Sequence, residues 1–412
     1  METFRHKLLR FMVEGKFIRH SLARLGSITD RALGIIARRV LFFNAKIKKN
    51  KVFFMTFQGD YTCNPKYICD ELIRQNVDCD IVWGVRLGTL NKPHLVPKKI
   101  RMVDRYTMKF YEEMATSKIW IINSVEVFKN PIYKKNNQVL FETWHGSLGI
   151  KRFDKKVNNG KAWVKAALLC GKMANYCISN SDFEDNVYRG SFWEKNEILQ
   201  YGHPRNDILF LQGDEKKNIV QKIRKKYKLA EGERYILYGP TFRDSHNFDC
   251  YNIDYKKLIK SFEKKFGGTW KVLVRFHPTV REFSKGVLAK NDKIVNVTGH
   301  PDIQELMLLA DVAITDYSSW IYDFILTRKP GFIFATDLKK YNVERGFYYK
   351  LETTLFPIAK NNAELMQNVM QFDEALYREN VERFLEEKGC VEDGQASRRV
   401  VEKIKEIIGD NK

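Results

Sequence analysis

Apolar positions along this chain fall into two textures. Up to about residue 48 they recur three to five apart, at Phe4, Leu8, Met12, Phe17, Leu22, Leu25, Leu33, Ile36 and Val40. That spacing lines one face of a helix, and Gly15, Gly26 and Gly34 divide the stretch into several short helices. From Lys51 onward, short continuous apolar runs alternate with helical patterns, which predicts parallel sheets flanked by helices. Strands are expected at 52–57, 80–85, 119–123, 139–143, 176–179 and 197–201. A charged, helix-like segment at 214–233 leads out of a hinge. Beyond it, strands are expected at 234–238, 270–276, 293–297, 310–315 and 331–334. The expected fold class is α/β. Two doubly wound domains, residues 49–212 and 213–390, face a cleft, with basic amphipathic helices at 1–48 and a C-terminal helix at 391–412.

A length of 412 residues agrees with two domains, and 44% hydrophobic and 13% aromatic residues suffice for two large cores. The seven cysteines are odd in number and include no C-x-x-C pair. A disulfide framework and a zinc ribbon are therefore not expected, and reduced thiols in a cytosolic protein fit best. The net charge of +21 calls for a polyanion: nucleic acid, an anionic membrane or a phosphate-rich substrate. Residues 1–50 carry twelve Lys/Arg against three Asp/Glu, with Arg10, Arg19, Arg24, Arg31, Arg38 and Arg39 filling much of the non-apolar face. A helix of that kind reads as a membrane-surface element. The competing reading packs it on the protein body with its basic face in water. No stretch approaches the roughly 20 apolar residues of a spanning helix. A signal peptide's compact apolar core and cleavage site are also missing. A peripheral protein is expected, neither exported nor crossing a bilayer.

Polar residues collect where strands end. Thr315-Asp316-Tyr317-Ser318-Ser319 follows an apolar strand and opens a helix, an arrangement that presents backbone N–H groups and hydroxyls to an anion. A plain helix cap is the competing reading. His145, Gly239 to Asp244, and Arg275 to Pro278 lie at three further strand ends, the edge where open α/β sheets bind ligands. Arg, His, Thr and Ser without an acidic cluster describe an anion site. A metal-held phosphate would want paired carboxylates as in D-x-D, whereas Glu112-Glu113 and Glu184-Asp185 lie on helical patterns and read as surface charge. No metal and no cofactor are expected. A P-loop and G-x-G-x-x-G are both absent, against kinase or dehydrogenase chemistry.

Taken in order, Phe141-Glu142-Thr143-Trp144-His145-Gly146-Ser147, Tyr238-Gly239-Pro240-Thr241-Phe242-Arg243-Asp244, Arg275-Phe276-His277-Pro278, and Thr315 to Ser319 with Tyr322-Asp323-Phe324 resemble a known family. It is that of the CDP-glycerol:poly(glycerophosphate) glycerophosphotransferases of teichoic-acid synthesis. Glu344-Arg345-Gly346-Phe347 matches a later segment, and the likeness spans roughly residues 50 to 390. Two departures stand out: Ser147-Leu148 where the family often has Thr-Pro, and Gly239 where it often has Ala.

The resemblance implies a GT-B-like fold of two Rossmann-like domains, the second holding the CDP-activated alditol and the first meeting the acceptor. An acceptor hydroxyl attacks the distal phosphorus of CDP-glycerol and CMP leaves. By the same resemblance His145 is the general base. His277, helped by Arg275 and Arg243, steadies the diphosphate or the departing CMP. Ser318 and Ser319 hold phosphate, while Pro240 and Thr241 line the nucleotide pocket. Trp144, Gly146, Asp244, Pro278, Thr315 and Asp316 complete the expected substrate-binding set. Asp323 either touches substrate or braces its loop. His203, in a Gly-His-Pro-Arg-Asn turn, stays open between structure and substrate, and His246 receives no role.

The implied partners are CDP-glycerol, a lipid-linked (undecaprenyl-diphosphate) glycan acceptor and the anionic cytoplasmic face of the membrane. Homo-oligomerisation is left open. Ribitol-phosphate or capsule-type polyol-phosphate transfer is the near alternative, and a nucleotide-sugar GT-B enzyme the next. A nucleic-acid-binding protein is suggested by charge alone, without a binding module or aromatics interleaved with basic residues, so no specific nucleic acid is expected. The absence of a large further N-terminal domain leans toward a primer or short-chain enzyme.

Overall fold

The computed structural model describes residues 42, 44–57, 59–129, 134–149, 152–153, 160–241, 243, 251–276, 292–338, 340–341 and 346–409. The amphipathic segment expected at 1–48 lies almost wholly outside the described residues, as do Asp244, His246, His277 and Pro278.

Two all-parallel sheets organise the rest. The first contains β1 (Lys48–Met55), β2 (Asp80–Val85), β3 (Arg101–Asp104), β4 (Ser117–Ile122), β5 (Val139–Glu142), β6 (Tyr176–Ser179) and β7 (Glu197–Gln200), in the order β3-β2-β1-β4-β5-β6-β7. The second contains β8 (Arg234–Tyr238), β9 (Trp270–Val274), β10 (Ile294–Asn296), β11 (Val312–Thr315), β12 (Gly331–Phe334) and β13 (Ile358–Ala359), in the order β10-β9-β8-β11-β12-β13. Both are doubly wound. Strand order reverses between β1 and β4 in one sheet and between β8 and β11 in the other. Those switch points open the crevices at which such sheets bind ligands.

Central strands are apolar on both faces because helices cover both. Phe53, Met55, Trp120, Ile122 and Leu140 face one side of the first sheet, packed with Ala166, Ala167 and Cys170 of the helix Lys161–Met173. Val52, Phe54, Ile119, Ile121 and Phe141 face the other side, with Ile68 and Leu72 of the helix Cys63–Arg74. Consecutive strand residues thus go to opposite cores, as the pleat requires.

The chain crosses to the second domain through the 3-10 turn Pro204–Phe210 and the helix Gly213–Tyr227. It returns at its end. Val400, Val401, Ile404 and Ile408 of the helix Ala396–Ile408 complete the core of the first sheet. Asp207 takes the amides of Ala396 and Ser397 at 2.9 and 2.7 Å, fixing where that helix begins. No described helix is long and apolar enough to cross a membrane.

Candidate active site

His145 follows β5 on a loop whose shape is set beneath it. Trp144 has φ +47°, a left-handed conformation that costs a non-glycine residue of order 1 kcal/mol. Glu142 holds it there by accepting the Trp144 amide at 2.9 Å. Burial pushes the Glu142 carboxyl up to about 8, so it is largely protonated at neutral pH. The Trp144 ring turns inward to Phe153 and Trp193, at 4.8 and 5.2 Å between centroids. The Trp144 side chain is thus buried in the first core. Gly146 must be glycine here, since a Cβ would sit 2.8 Å from the Trp144 indole nitrogen.

The His145 ring is exposed and stacks on exposed Phe57, 6.0 Å away. Its Nδ1 lies 2.6 Å from the carbonyl oxygen of Asn123, at the end of β4. A carbonyl can only accept, so Nδ1 carries the proton and the basic lone pair is on Nε2. Asn123 also takes the Phe57 amide through Oδ1, at 2.9 Å. One residue at the switch point thus sets both rings.

In the second domain the motif residues divide into braces and open groups. Thr315 is buried and donates to the Gly239 carbonyl at 2.7 Å. Asp316 accepts the Thr241 amide at 2.8 Å and the Arg243 guanidinium at 2.8 Å. Arg243 is also bound by Asp337 at 2.8 and 3.0 Å, and lies over the Tyr317 and Tyr341 rings. With two carboxylates upon it, Arg243 locks the loop, and Thr315 and Asp316 act with it. All three make the hydrogen bonds that hold this loop together. Gly239 meets the Trp320 indole, against which a Cβ would lie at 3.0 Å. That contact accounts for glycine where the family often has alanine.

Two groups are left over. Among the described residues, Thr241 Oγ1 and Arg275 Nε are buried without a hydrogen-bond partner. Arg275 otherwise reaches only the His300 carbonyl, at 3.4 Å. Burial lowers its pKa, offset in part by the charge of Asp302. Buried polar atoms left unsatisfied in a folded protein call for a ligand or water, and these two stand at the ends of β8 and β9. Pro240, beside Thr241, is buried. Ser318 and Ser319 are half-buried at the start of Trp320–Phe324, a helix shorter than the sequence pattern suggests, continued by the 3-10 turn Ile325–Thr327.

The two halves touch at this level. A Cβ on Gly149 would lie 2.7 Å from the Ser319 Cβ, so the loop after His145 packs directly on the Ser318–Ser319 turn. Tyr349 donates to the Leu148 carbonyl close by. Beneath lies a buried polar cluster that joins Asp323 to residues of the Gly-His-Pro-Arg-Asn turn. Arg205 pairs with Asp323 (Nε to Oδ2 2.9 Å) and donates to the Gly146 carbonyl. Asn206 bonds Asp323 at 3.1 Å and Glu392 at 2.8 Å. Both Asp323 oxygens thus accept hydrogen bonds within the junction. Burial pushes Glu392 up to about 7 against the opposing charge of His203. His203 is fully buried, its Nε2 2.8 Å from Glu184 at an angle too poor for a full hydrogen bond. It is structural.

A second contact lies at Lys66, which meets Asp302 and Glu305 across the domains at 2.7 and 3.1 Å. Burial would raise the Glu305 carboxyl, but the His300 hydrogen bond and the Lys66 charge outweigh it and hold it near 2.

Two Rossmann-type domains in contact across their strand ends define a GT-B-like fold, and family membership, not the fold, gives the enzyme class. The chain belongs to the CDP-Glycerol:Poly(glycerophosphate) glycerophosphotransferase family, which matches residues 36–406. It is 28% identical to the teichoic acid glycerol-phosphate transferase of Staphylococcus aureus (strain NCTC 8325 / PS 47), covering 86% of this chain and 93% of that one. It is 25% identical to the teichoic acid poly(glycerol phosphate) polymerase of Bacillus subtilis (strain 168), covering 95% of this chain but only 54% of the polymerase. A solved structure of the wall teichoic acid polymerase TagF superposes with a TM-score of 0.76 at 25% identity, over 95% of this chain and 96% of that one. The S. aureus MnaA-UDP co-structure, at TM-score 0.53 and 16% identity over 88% of this chain and 97% of that one, shares the fold alone.

Proposed function

We propose that this transferase moves glycerol phosphate from CDP-glycerol to a lipid-linked, undecaprenyl-diphosphate teichoic acid acceptor and releases CMP. The observation that carries the reading is the packing of the His145 loop on the Ser318–Ser319 turn, through Gly149 and Ser319. The loop that carries His145 at one switch point thus lies against the turn proposed to hold phosphate at the other. His145 Nε2 takes the proton of the acceptor hydroxyl, and the oxygen attacks the distal phosphorus. The bond from that phosphorus to the bridging oxygen breaks, and CMP departs with the electron pair. Arg275, Thr241 and the two serine hydroxyls hold phosphate oxygens and spread the developing charge. His277 is assigned to the departing phosphate. Pro240 and Thr241 line the nucleotide side.

Support for the glycerol donor comes from the S. aureus glycerol-phosphate transferase, 28% identical against 24% for the TarK ribitol-phosphate polymerase of the same strain. A TagF variant has also been soaked with CDPG. The charge of the basic segment 1–48 supports a position on the cytoplasmic membrane face. Incubation with lipid-linked disaccharide and either CDP-glycerol or CDP-ribitol, followed by product mass and CMP release, is the test. A glycerol phosphate increment with CDP-glycerol is expected. Transfer from CDP-ribitol alone, or no CMP from either donor, would overturn the reading.

A further inference from the structure

Arg205 touches both halves of the cleft at once. It sits in the crossing turn Pro204–Phe210, is buried, and is the arginine of the Gly-His-Pro-Arg-Asn turn, assigned no role of its own from sequence. Toward the second domain its Nε and Nη2 reach Asp323 at 2.9 and 3.3 Å, in the same short helix that begins after Ser319. Toward the first domain its Nη2 donates to the Gly146 carbonyl. Its own amide donates to Asn64 Oδ1 at 3.1 Å, and Asn64 Nδ2 donates to the carbonyls of Thr143 and Trp144 at 2.7 and 3.2 Å. The peptide carbonyls on either side of His145 are therefore both anchored to the Asn64–Arg205 pair. The remaining contacts are His203 Nδ1 at 3.3 Å and Cys63 Sγ at 3.8 Å.

We propose that Arg205 is a positioning residue for the transfer, its guanidinium spanning the domains to align His145 with the Ser318–Ser319 turn. The inference rests on the functional reading above. It explains why an arginine is buried where an apolar pair would serve stability as well or better. A guanidinium has donors fixed in one plane, so it grips a carboxylate and a carbonyl in set directions; an ammonium supplies one point of charge. The pair with Asp323 alone would need no bond to Gly146. That bond is what ties the base-bearing loop to the helix behind the serines. Gly149 against Ser319 then acts as the stop that keeps the two from closing further.

Two variants separate positioning from scaffolding. Arg205→Lys keeps the charge and loses the fork; Arg205→Met combined with Asp323→Asn removes both charges, leaving none buried alone. In each, kcat for CMP release should fall about 100-fold, the scale at which misplacement of about 1 Å acts. KM for CDP-glycerol should move less than roughly threefold, since an interaction that only orients the base is not felt in ground-state binding. Pulsed electron resonance between labels introduced through unnatural residues at the exposed positions of Lys195 and Lys260 reports the domain alignment without activity. The distance distribution should broaden in both variants and stay as in the wild type in His145→Ala. Near-wild-type kcat in Arg205→Lys, a raised KM at unchanged kcat, or an unbroadened distribution would overturn the proposal. So would failure of both variants to fold, which makes Arg205 scaffold only. If the wild type itself releases no CMP, the functional reading fails and the distance measurement alone decides on Arg205.

Discussion

The hydrogen bond from His145 Nδ1 to Asn123 assigns the imidazole a single tautomer, so its replacement has a sharp expected outcome. His145→Ala should lower kcat by about 10³-fold, within the range for losing a general base. Because the ring is exposed, stability should change by less than about 1 kcal/mol. CMP release and urea titration on the same preparation check both halves. Below it, Glu142 yields a pH prediction of opposite character. Its folded pKa of about 8 lies above the ordinary 4.5, so the folded state holds a proton that the unfolded chain releases. That contribution is fully present below about pH 4.5 and is lost as pH rises toward 8, in total a few kcal/mol, about 1.4 kcal/mol per unit. Glu142→Gln keeps an acceptor for the Trp144 amide and cannot ionise. Its stability should fall less than the wild type's between pH 5 and pH 8.5, measured by urea midpoints; equal slopes would place the titration elsewhere.

At the scale of elements, the helix Ala396–Ile408 is the last part of the chain yet closes the first core. Ile404→Ala should cost about 2–5 kcal/mol, as for other buried isoleucines, and chains cut before residue 396 should lose cooperative unfolding of the first domain. The loop after His145 gives a converse case. Gly149→Ala would place a Cβ 2.7 Å from the Ser319 Cβ, so the domains must part slightly. Activity should fall at least about tenfold while melting shifts by only a few degrees. The strands were legible where the chain is buried on both faces: β2, β6, β8 and β12 have the bounds that their apolar runs predict. Phe57, Asn123, Thr143 and Phe276 were expected inside strands but lie just past them, since ladder pairing stops where the functional loops begin. β3 and β13 gave no signal, being short edge strands with few apolar residues. The braces were illegible for another reason. Arg205 finds Asp323 across 118 positions, and Arg243 finds Asp337 across 94, separations that local pattern cannot convey.

For the whole molecule, charge is the property that no single element explains. Of the net +21, nine charges belong to residues 1–50, while the remaining twelve are spread over residues 51–412. A basic residue near an anionic leaflet contributes about 1 kcal/mol, and the attraction decays within a Debye length, about 8 Å in physiological salt. A concentrated segment can therefore hold the protein on a surface that a dispersed charge of similar size would grip weakly. Deleting residues 1–45 should release the protein from vesicles containing anionic lipid while leaving transfer to a water-soluble acceptor analogue within about twofold. The intact chain should itself leave those vesicles as salt approaches 1 M, where the Debye length is about 3 Å. Co-sedimentation across a salt series reads both effects. Salt-resistant binding in the intact chain would point to apolar insertion by the same segment, through residues such as Phe4, Leu8 and Phe17, rather than to charge. Undiminished binding after the deletion would move the membrane contact onto the folded domains, where the dispersed lysines would have to act together.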